Sequence, residues 1–435
     1  MTGIARELNS AGCSLRLIAV GLFALVLSAC ATRPYDGTEV SSAAFLQRSI
    51  TQEVGDLTVT AAVPDAEETA LLTGLDLYDQ GVQPVWLKVE NRSATQARIA
   101  TWSIDRHYFS PIEVAYTNRK KFSSQGYVDM ERWFKDNGMP RFIPAGETRS
   151  GLVFTNLRRG TKGFNLVIFA NRASHDFTFF VPLPGFVADF MEVDFANLYT
   201  EDEIQDLDLP ALKIALEEDL HCCARDPSGQ LDGGPFNVVL IGTGMAVRRA
   251  MLRGGWLETS AEEGVAERAR RQKFDGRQPD AIFMQEREDA EGNERIQLHM
   301  WMSPWRTNDE PVWVGQVFYV NPDGNFLDQF DDETIRDSTL LSYFARESVM
   351  ADIDSAQRFL LQNLWYNGGM RAAGFVDGVG EVPIDKPITG FGGGAYFTDG
   401  WRLVAILSEE PVAFDDVVIR FDMRQRDSST AEAKQ

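Results

Sequence analysis

The residues with the most capacity for chemistry in this sequence stand together in "HCCARDPSGQLDGGPFNVVLIGTGMAVRRAMLRGGW", which begins at His221. His221, Cys222 and Cys223 are metal ligands by type, but a zinc site takes three or four ligands and adjacent cysteines rarely both reach one ion. No second ligand cluster follows in the sequence, so neither a metal nor a cofactor is expected. The other option is a bridge between the two neighbours. Their Cα atoms lie about 3.8 Å apart across a trans peptide, below the usual span of a disulfide, so such a bridge is strained and easily reduced. The reading is structural: a vicinal bridge or a buried thiol pair that pins the loop before "FNVVLIG", with redox chemistry as the lesser alternative.

Two glycine-rich stretches and one set of polar residues also ask to be weighed. In "IGTG" the third glycine of a dinucleotide fingerprint is replaced by Val247, and the chain holds no GK[ST] for a phosphate loop. A tight strand-to-helix turn eased by Gly242 and Gly244 is expected instead. "GFGGGAY", from Gly390 to Tyr396, reads as a bulge or turn before the last strand. His299, Asp352 and Asp354 are the candidates for an acid/base or ligand group, against the plainer reading of a polar face beside a helix cap. Strand alternation sets His299 on the face of Gln297 and Trp301, opposite Leu298 and Met300. His107 and His175 read as structural histidines, and Trp301, Trp305, Trp313 and Trp365 as core. No Ser-His-Asp order and no G-x-S-x-G elbow points to a hydrolase.

The elements that would position these residues fall into two blocks. From Leu57 to about Pro184 the pattern alternates in period two, in "LTVTAAV", "VWLKVENRS", "ARIATWSI", "IEVAY", "GLVFTNL", "FNLVIFANR" and "DFTFFVPL", with turn signals between them. That spacing predicts a β-sandwich over residues 56–185, with one helix inserted around "MERWFKDNG". The segments "VWLKVENRS" and "IPAGETRSGLVFTNL" resemble immunoglobulin-like domains of bacterial envelope proteins. Residues 186–220 read as an acidic helical connector: Thr200 and Glu203 have capping-box spacing, and "LPALKIALEEDL" is amphipathic with Pro210 near its first turn. Beyond it, residues 221–420 mix strands ("FNVVLIG", "AIFMQERE", "ERIQLHMWM", "PVWVGQVFYV", "WRLVAILSE") with helices ("MAVRRAMLRGGW", "AEEGVAERARRQKF", "SAQRFLLQNLWYNGG"), and 421–435 form a polar tail. The fold class expected is α+β multidomain, an N-terminal immunoglobulin-like β-sandwich followed by a mixed α/β domain.

"PFNVVLIGTGMAVRRAMLRGGW", "PVWVGQVFYV" and "DIDSAQRFLLQNL" together resemble the LssY C-terminal domain, in which a strand opened by proline and asparagine leads to a helix closed by glycine and tryptophan. The resemblance covers roughly the last half of the chain and implies an envelope or membrane setting, with no established activity for the domain itself. The family's paired histidines would fall on Ile296 and Gln297, and on Glu347 and Ser348, so both pairs are absent here. His299 is displaced from those positions and does not inherit their role.

The N-terminus predicts the location. Arg6 and Arg16 precede an apolar run from Leu17 to Leu27 that is too short to span a bilayer and has the length of a signal-peptide core, giving a leader over residues 1–29. Leu27, Ser28, Ala29 and Cys30 resemble a bacterial lipobox, in which the Cys30 thiol takes a diacylglycerol; palmitate is the expected acyl chain type. Residues 30–55 then form the lipidated tether. Ala31 follows the cysteine where an aspartate would go with retention at the inner membrane, so the periplasmic face of the outer membrane is expected. The formal charge of −22 becomes one unit more negative once Arg6, Glu7 and Arg16 leave with the leader, a balance that repels phosphate backbones and excludes nucleic acid as a partner. The sequence therefore predicts an envelope lipoprotein, anchored by its lipid, that binds or assembles with an envelope protein and catalyses nothing. The alternative is an envelope enzyme acting on phosphorylated or lipid-linked substrates.

Overall fold

The computed structural model describes residues 34–105, 108–158, 160–259, 271–288, 293–321, 348–349, 351–390 and 395–420. The leader with Cys30, His107, Glu347, most of "AEEGVAERARRQKF", residues 391–394 of "GFGGGAY" and the tail 421–435 lie outside them. The chain is mixed α/β with several sheets and divides into two units, Met1–Leu183 and Pro184–Gln435.

The strands of the first unit are β1 (Ile50–Val54), β2 (Leu57–Ala62), β3 (Val82–Asn91), β4 (Ala97–Ala100), β5 (Phe142–Ile143), β6 (Thr148–Asn156), β7 (Lys162–Ala170) and β8 (Ala173–Val181). They form two antiparallel four-stranded sheets, ordered β1-β2-β3-β6 and β5-β4-β7-β8. Alternation gives each sheet one apolar face: Val85, Leu87 and Val89 of β3 meet Phe164, Leu166 and Ile168 of β7 in a single core. The opposite face of the first sheet is covered as well. Leu152 and Phe154 of β6 pack with Val114, Ala115, Met130 and Phe134 from the helices α2 (Pro111–Asn118) and α3 (Ser124–Asn137), and with Leu72 of α1 (Ala66–Thr73). α3 covers the inserted helix expected at "MERWFKDNG". "IEVAY", expected as a strand, is instead the body of α2. Ser110 accepts the Glu113 amide, Glu113 reaches back to the Ser110 amide, and Pro111 presets the first turn, a capping box that outweighs the β-propensity of five residues.

The second unit is built on a ten-stranded sheet. Its strands, with two small ribbons beside it, are β9 (Gln205–Asp206), β10 (Cys223–Arg225), β11 (Asp232–Pro235), β12 (Val238–Ile241), β13 (Leu257–Glu258), β14 (Ala281–Glu288), β15 (Asn293–Thr307), β16 (Glu310–Asn321), β17 (Ser348–Val349), β18 (Met370–Val376), β19 (Ile388–Thr389), β20 (Ala395–Tyr396), β21 (Arg402–Leu407) and β22 (Val418–Arg420). The main order is β13-β14-β15-β16-β12-β21-β18-β22, with β9 added to β15 and β17 to β16. β12 runs parallel to β21 and antiparallel to β16. It is fully buried on both faces, which explains why "VVLI" shows no alternation.

Each face of this sheet has its own core. On one, Leu298, Met300 and Val317 pack with Val247, Ala250 and Met251 of α5 (Gly244–Arg253) and with Ala356, Leu360 and Leu364 of α6 (Ile353–Tyr366). On the other, Val239, Ile241, Trp301 and Val314 pack with Leu212, Ala215 and Leu216 of α4 (Leu209–Ile214) and the π-helical turn Ala215–Asp219 that continues it. The stretch read as a connector thus supplies part of the second unit's core.

Candidate functional site

The π turn, the β10–β11 ribbon and the loop before β14 enclose an open cleft of about 510 Å³ in the second unit, beside "HCC". Phe236, Phe274 and Trp305 line it among apolar residues, and His221, Arg225, Asp226 and Lys273 among polar ones. Phe236 crosses Phe274 edge to face at 5.5 Å, and crosses Trp301 beneath at 5.4 Å, so the aromatic floor is fixed from below. Lys273 is brought to the wall by a two-way backbone bridge with Arg225, each amide donating to the other's carbonyl at 2.8 Å.

The polar groups of the cleft are largely turned toward one another. Arg225 Nη2 lies 2.6 Å from His221 Nε2, and His221 Nδ1 lies 3.0 Å from the Cys223 carbonyl and 3.2 Å from the Cys223 amide, so both ring nitrogens have partners. Asp232 pairs with Arg225 at 3.2 Å and lies 3.7 Å from His221 Nε2. The ring nitrogens a general base would use are therefore held within the wall of the cleft. Asp226 anchors the rim. Its Oδ1 accepts the amides of Gln230 and Leu231, and its Oδ2 those of Ser228 and the Ser228 hydroxyl, around a turn closed by Gly229 N–H to Asp226 O at 2.9 Å. Pro227 takes the position that presets such a turn.

The Leu231 amide first, then the Ser228 hydroxyl, hold the Asp226 carboxyl down at about 2. A depressed carboxylate contributes its stability above the unfolded value near 3.9, and that contribution is lost as pH falls through about 2. Asp226→Ala should therefore speed amide exchange at Gln230 and Leu231 at neutral pH and leave the β-sheet amides unchanged. Unaltered protection at those two amides would show that the carboxylate does not hold the loop.

Cys222 and Cys223 are joined by a disulfide. Cys222 is half-buried, whereas Cys223 is 3% exposed and its Sγ lies 3.8 Å from Tyr396 Oη. The bridge sits where the ribbon leaves the π turn, and the Cys222 carbonyl accepts the Phe236 amide at 2.7 Å.

His299, Asp352 and Asp354 are not brought together. His299 is 2% exposed and lies with Gln297 and Trp301, its Nε2 3.2 Å from Gln297 Oε1 and its ring edge-on to Phe318. Both aspartates belong to the start of α6, which packs against the opposite, Leu298 and Met300, face of the sheet. Asp352 caps α6 through the Ser355 amide and hydroxyl. Asp354 accepts from Thr398 Oγ1 and the Asp399 amide, both at 2.7 Å, and burial raises its pKa despite those bonds. The sheet separates the histidine from the carboxylates, and among the described residues no three His, Cys, Asp or Glu side chains are arranged to hold a metal. His175 is half-buried on β8 opposite Ile168.

"IGTG" is a strand-to-helix turn. Gly242 has φ +153°, its carbonyl accepts Trp313 Nε1, and Thr243 caps α5 through the Ala246 amide while its hydroxyl donates to Glu409 at 2.7 Å. "GFGGGAY" joins β19 to β20, which pair as a hairpin.

Sequence reasoning missed Asn237. Its side chain donates to the Val317 carbonyl and accepts the Val317 amide, both at 2.9 Å, and its own carbonyl accepts Gln357 Nε2 at 2.7 Å. Trp256 Nε1 donates to Asn363 Oδ1, and Asn363 Nδ2 to the Gly254 carbonyl, both at 3.0 Å. "PFN", "GGW", "PVWVGQVFYV" and "DIDSAQRFLLQNL" are thereby tied into one unit. No family model matches the chain, and no curated protein matches it.

Proposed function

We propose that this chain is an envelope lipoprotein, held at the periplasmic face of the outer membrane by a lipid on Cys30, which serves as a non-catalytic binding or assembly protein for an envelope partner. The observation that carries the reading is the state of the cleft: His221 and Arg225 are engaged with each other and with Asp232, and Asp226 with the amides of its own turn, above a fixed aromatic floor. An enzyme acting on phosphorylated or lipid-linked material would need a base with its lone pair turned to a substrate, and both ring nitrogens of His221 are engaged by Arg225 and the Cys223 backbone. An aromatic-lined recess with a rigid polar rim suits a partner's apolar anchor. Among the described residues no helix is long and apolar enough to cross a membrane, so the lipid is the anchor this reading relies on.

Within the same reading the first unit is an immunoglobulin-like sandwich, supported by its two facing antiparallel sheets, and the second is a divergent relative of the LssY C-terminal domain, supported by the bonds that join its motifs at Asn237. Two experiments test the proposal. Cys30→Ser should give a soluble periplasmic form, and persistence of that variant in washed membranes would remove the lipid anchor. A photo-crosslinking residue at Ser228 of the intact lipoprotein should capture one discrete envelope protein, and Phe274→Asp should abolish that capture. No capture, together with phosphate release from lipid-linked substrates by the purified protein, would establish the enzyme instead.

A further inference from the structure

The two cysteines of the bridge differ in a way that no structural staple requires. Cys222 is half-buried, while Cys223 is 3% exposed with its sulfur against a tyrosine hydroxyl. The geometry points to a thiol-exchange site: an incoming thiolate attacks Cys222 Sγ and expels Cys223, whose thiolate is received by the Tyr396 hydroxyl. In the step, a bond forms between the incoming sulfur and Cys222 Sγ as the Cys222–Cys223 bond breaks, and its electron pair leaves on Cys223 Sγ. The proton lost when the incoming thiol ionised returns to Cys223. One thiol is oxidised to a mixed disulfide and one cysteine is reduced, so no further oxidant is needed, and Cys223 is placed to reverse the step.

Three features support the direction of attack. Exchange follows access, and Cys222 is the more exposed residue of the two. A leaving thiolate in an apolar setting needs a donor, and Tyr396 Oη is 3.8 Å away. Burial first, and then the charge of Asp232, raise the Tyr396 pKa, so the hydroxyl keeps the proton it must share. The co-reactant is a thiol, carried either by a small molecule or by a peptide cysteine.

Incubation of the intact protein with glutathione, then acid quench, alkylation in denaturant and peptide mapping, should place glutathione on Cys222 and the alkyl group on Cys223. A cysteine-bearing peptide run in parallel tells the two sources apart by which forms the adduct faster. In Cys223→Ser the remaining thiol should react with a disulfide reagent roughly ten-fold faster than the remaining thiol of Cys222→Ser. Tyr396→Phe should slow attack on the wild-type bridge severalfold without changing the labelling rate of Cys223→Ser, which a merely structural tyrosine would not do. An adduct on Cys223, no adduct with either thiol, equal labelling of the two single variants, or no effect of Tyr396→Phe would each overturn the assignment. The mapping on wild-type protein decides the matter even if a variant fails to fold.

Discussion

Replacing Arg402 by Met should unfold the second unit more readily than any other single change of a charged residue in it. Arg402 is 0% exposed on β21, and among the described residues its guanidinium hydrogen-bonds three backbone carbonyls and no carboxylate. Nε donates to Phe236 O at 2.6 Å, Nη1 to Leu216 O, and Nη2 to Gly378 O at 3.4 Å. Burial pushes its pKa down to about 10, opposed by Asp377 and Glu217. Removing the guanidinium leaves two buried acceptors and one part-buried acceptor unsatisfied, the buried ones at about 1–3 kcal/mol each, so a loss of about 3–5 kcal/mol is expected. At roughly 2–4 °C per kcal/mol for a unit of this size, the melting temperature should fall on the order of 10 °C. Arg402→Lys should recover little, because a compact ammonium cannot reach three carbonyls at once. Phe236 lines the cleft, and the Leu216 carbonyl belongs to the π turn that walls it, so the same variant should weaken partner capture from Ser228. A melting curve for Arg402→Met within about a degree of the wild type would refute this account.

Arg402 also shows where sequence legibility stops. Residues whose environment is set by neighbours in the chain could be read: "VVLI" followed by "GTG" and an amphipathic run gave β12, its turn and α5, because apolar runs and caps are local signals. The capping box in "SPIE" was equally local and outweighs the strand pattern of "IEVAY". The partners of Arg402 are main-chain oxygens of Leu216, Phe236 and Gly378, and a backbone carbonyl leaves no mark in residue identity. The departure of "LPALKIALEEDL" into a π turn at Ala215 is of the same kind, since the Leu216 carbonyl is held by a strand that follows far along the chain. The cleft was half legible. "HCC" and the turn in "DPSG" mark one wall, but Lys273 and Trp305 arrive through a bridge and the far end of β15. Whether His299 would meet Asp352 and Asp354 was not legible for a related reason: alternation gives the face a side chain takes, yet which face a later helix will cover is decided by topology, and Asp352 proves to be the helix cap.

Lys162 should give the first unit a pH dependence of unusual sign. It opens β7 at an inward position of the alternation that also buries Phe164, Leu166 and Ile168, and it is 1% exposed. Its Nζ donates to the Asn156 carbonyl at 2.8 Å. Burial first, and then the charge of Arg158, push its pKa down to about 7, and Asp105 only partly opposes them. The unfolded chain keeps a lysine protonated to about 10.4, so between about 7 and about 10.4 the unfolded state binds more protons than the folded one and stability rises with pH. Below about 7 both states carry the proton and the burial penalty is felt in full. The shift corresponds to an upper figure of about 5 kcal/mol across the window, with a slope of up to about 1.4 kcal/mol per pH unit. Lys162→Met keeps the volume and removes the titration. In urea unfolding at matched pH, the variant should exceed the wild type by about 2–4 kcal/mol near pH 6, after allowing for the carbonyl of Asn156 losing its donor, and the gap should close as pH approaches 10. The difference between the two proteins isolates this one group, because every other titration is common to both. A gap that stays constant from pH 6 to 10 would show that Lys162 remains charged in the fold, held by Asp105.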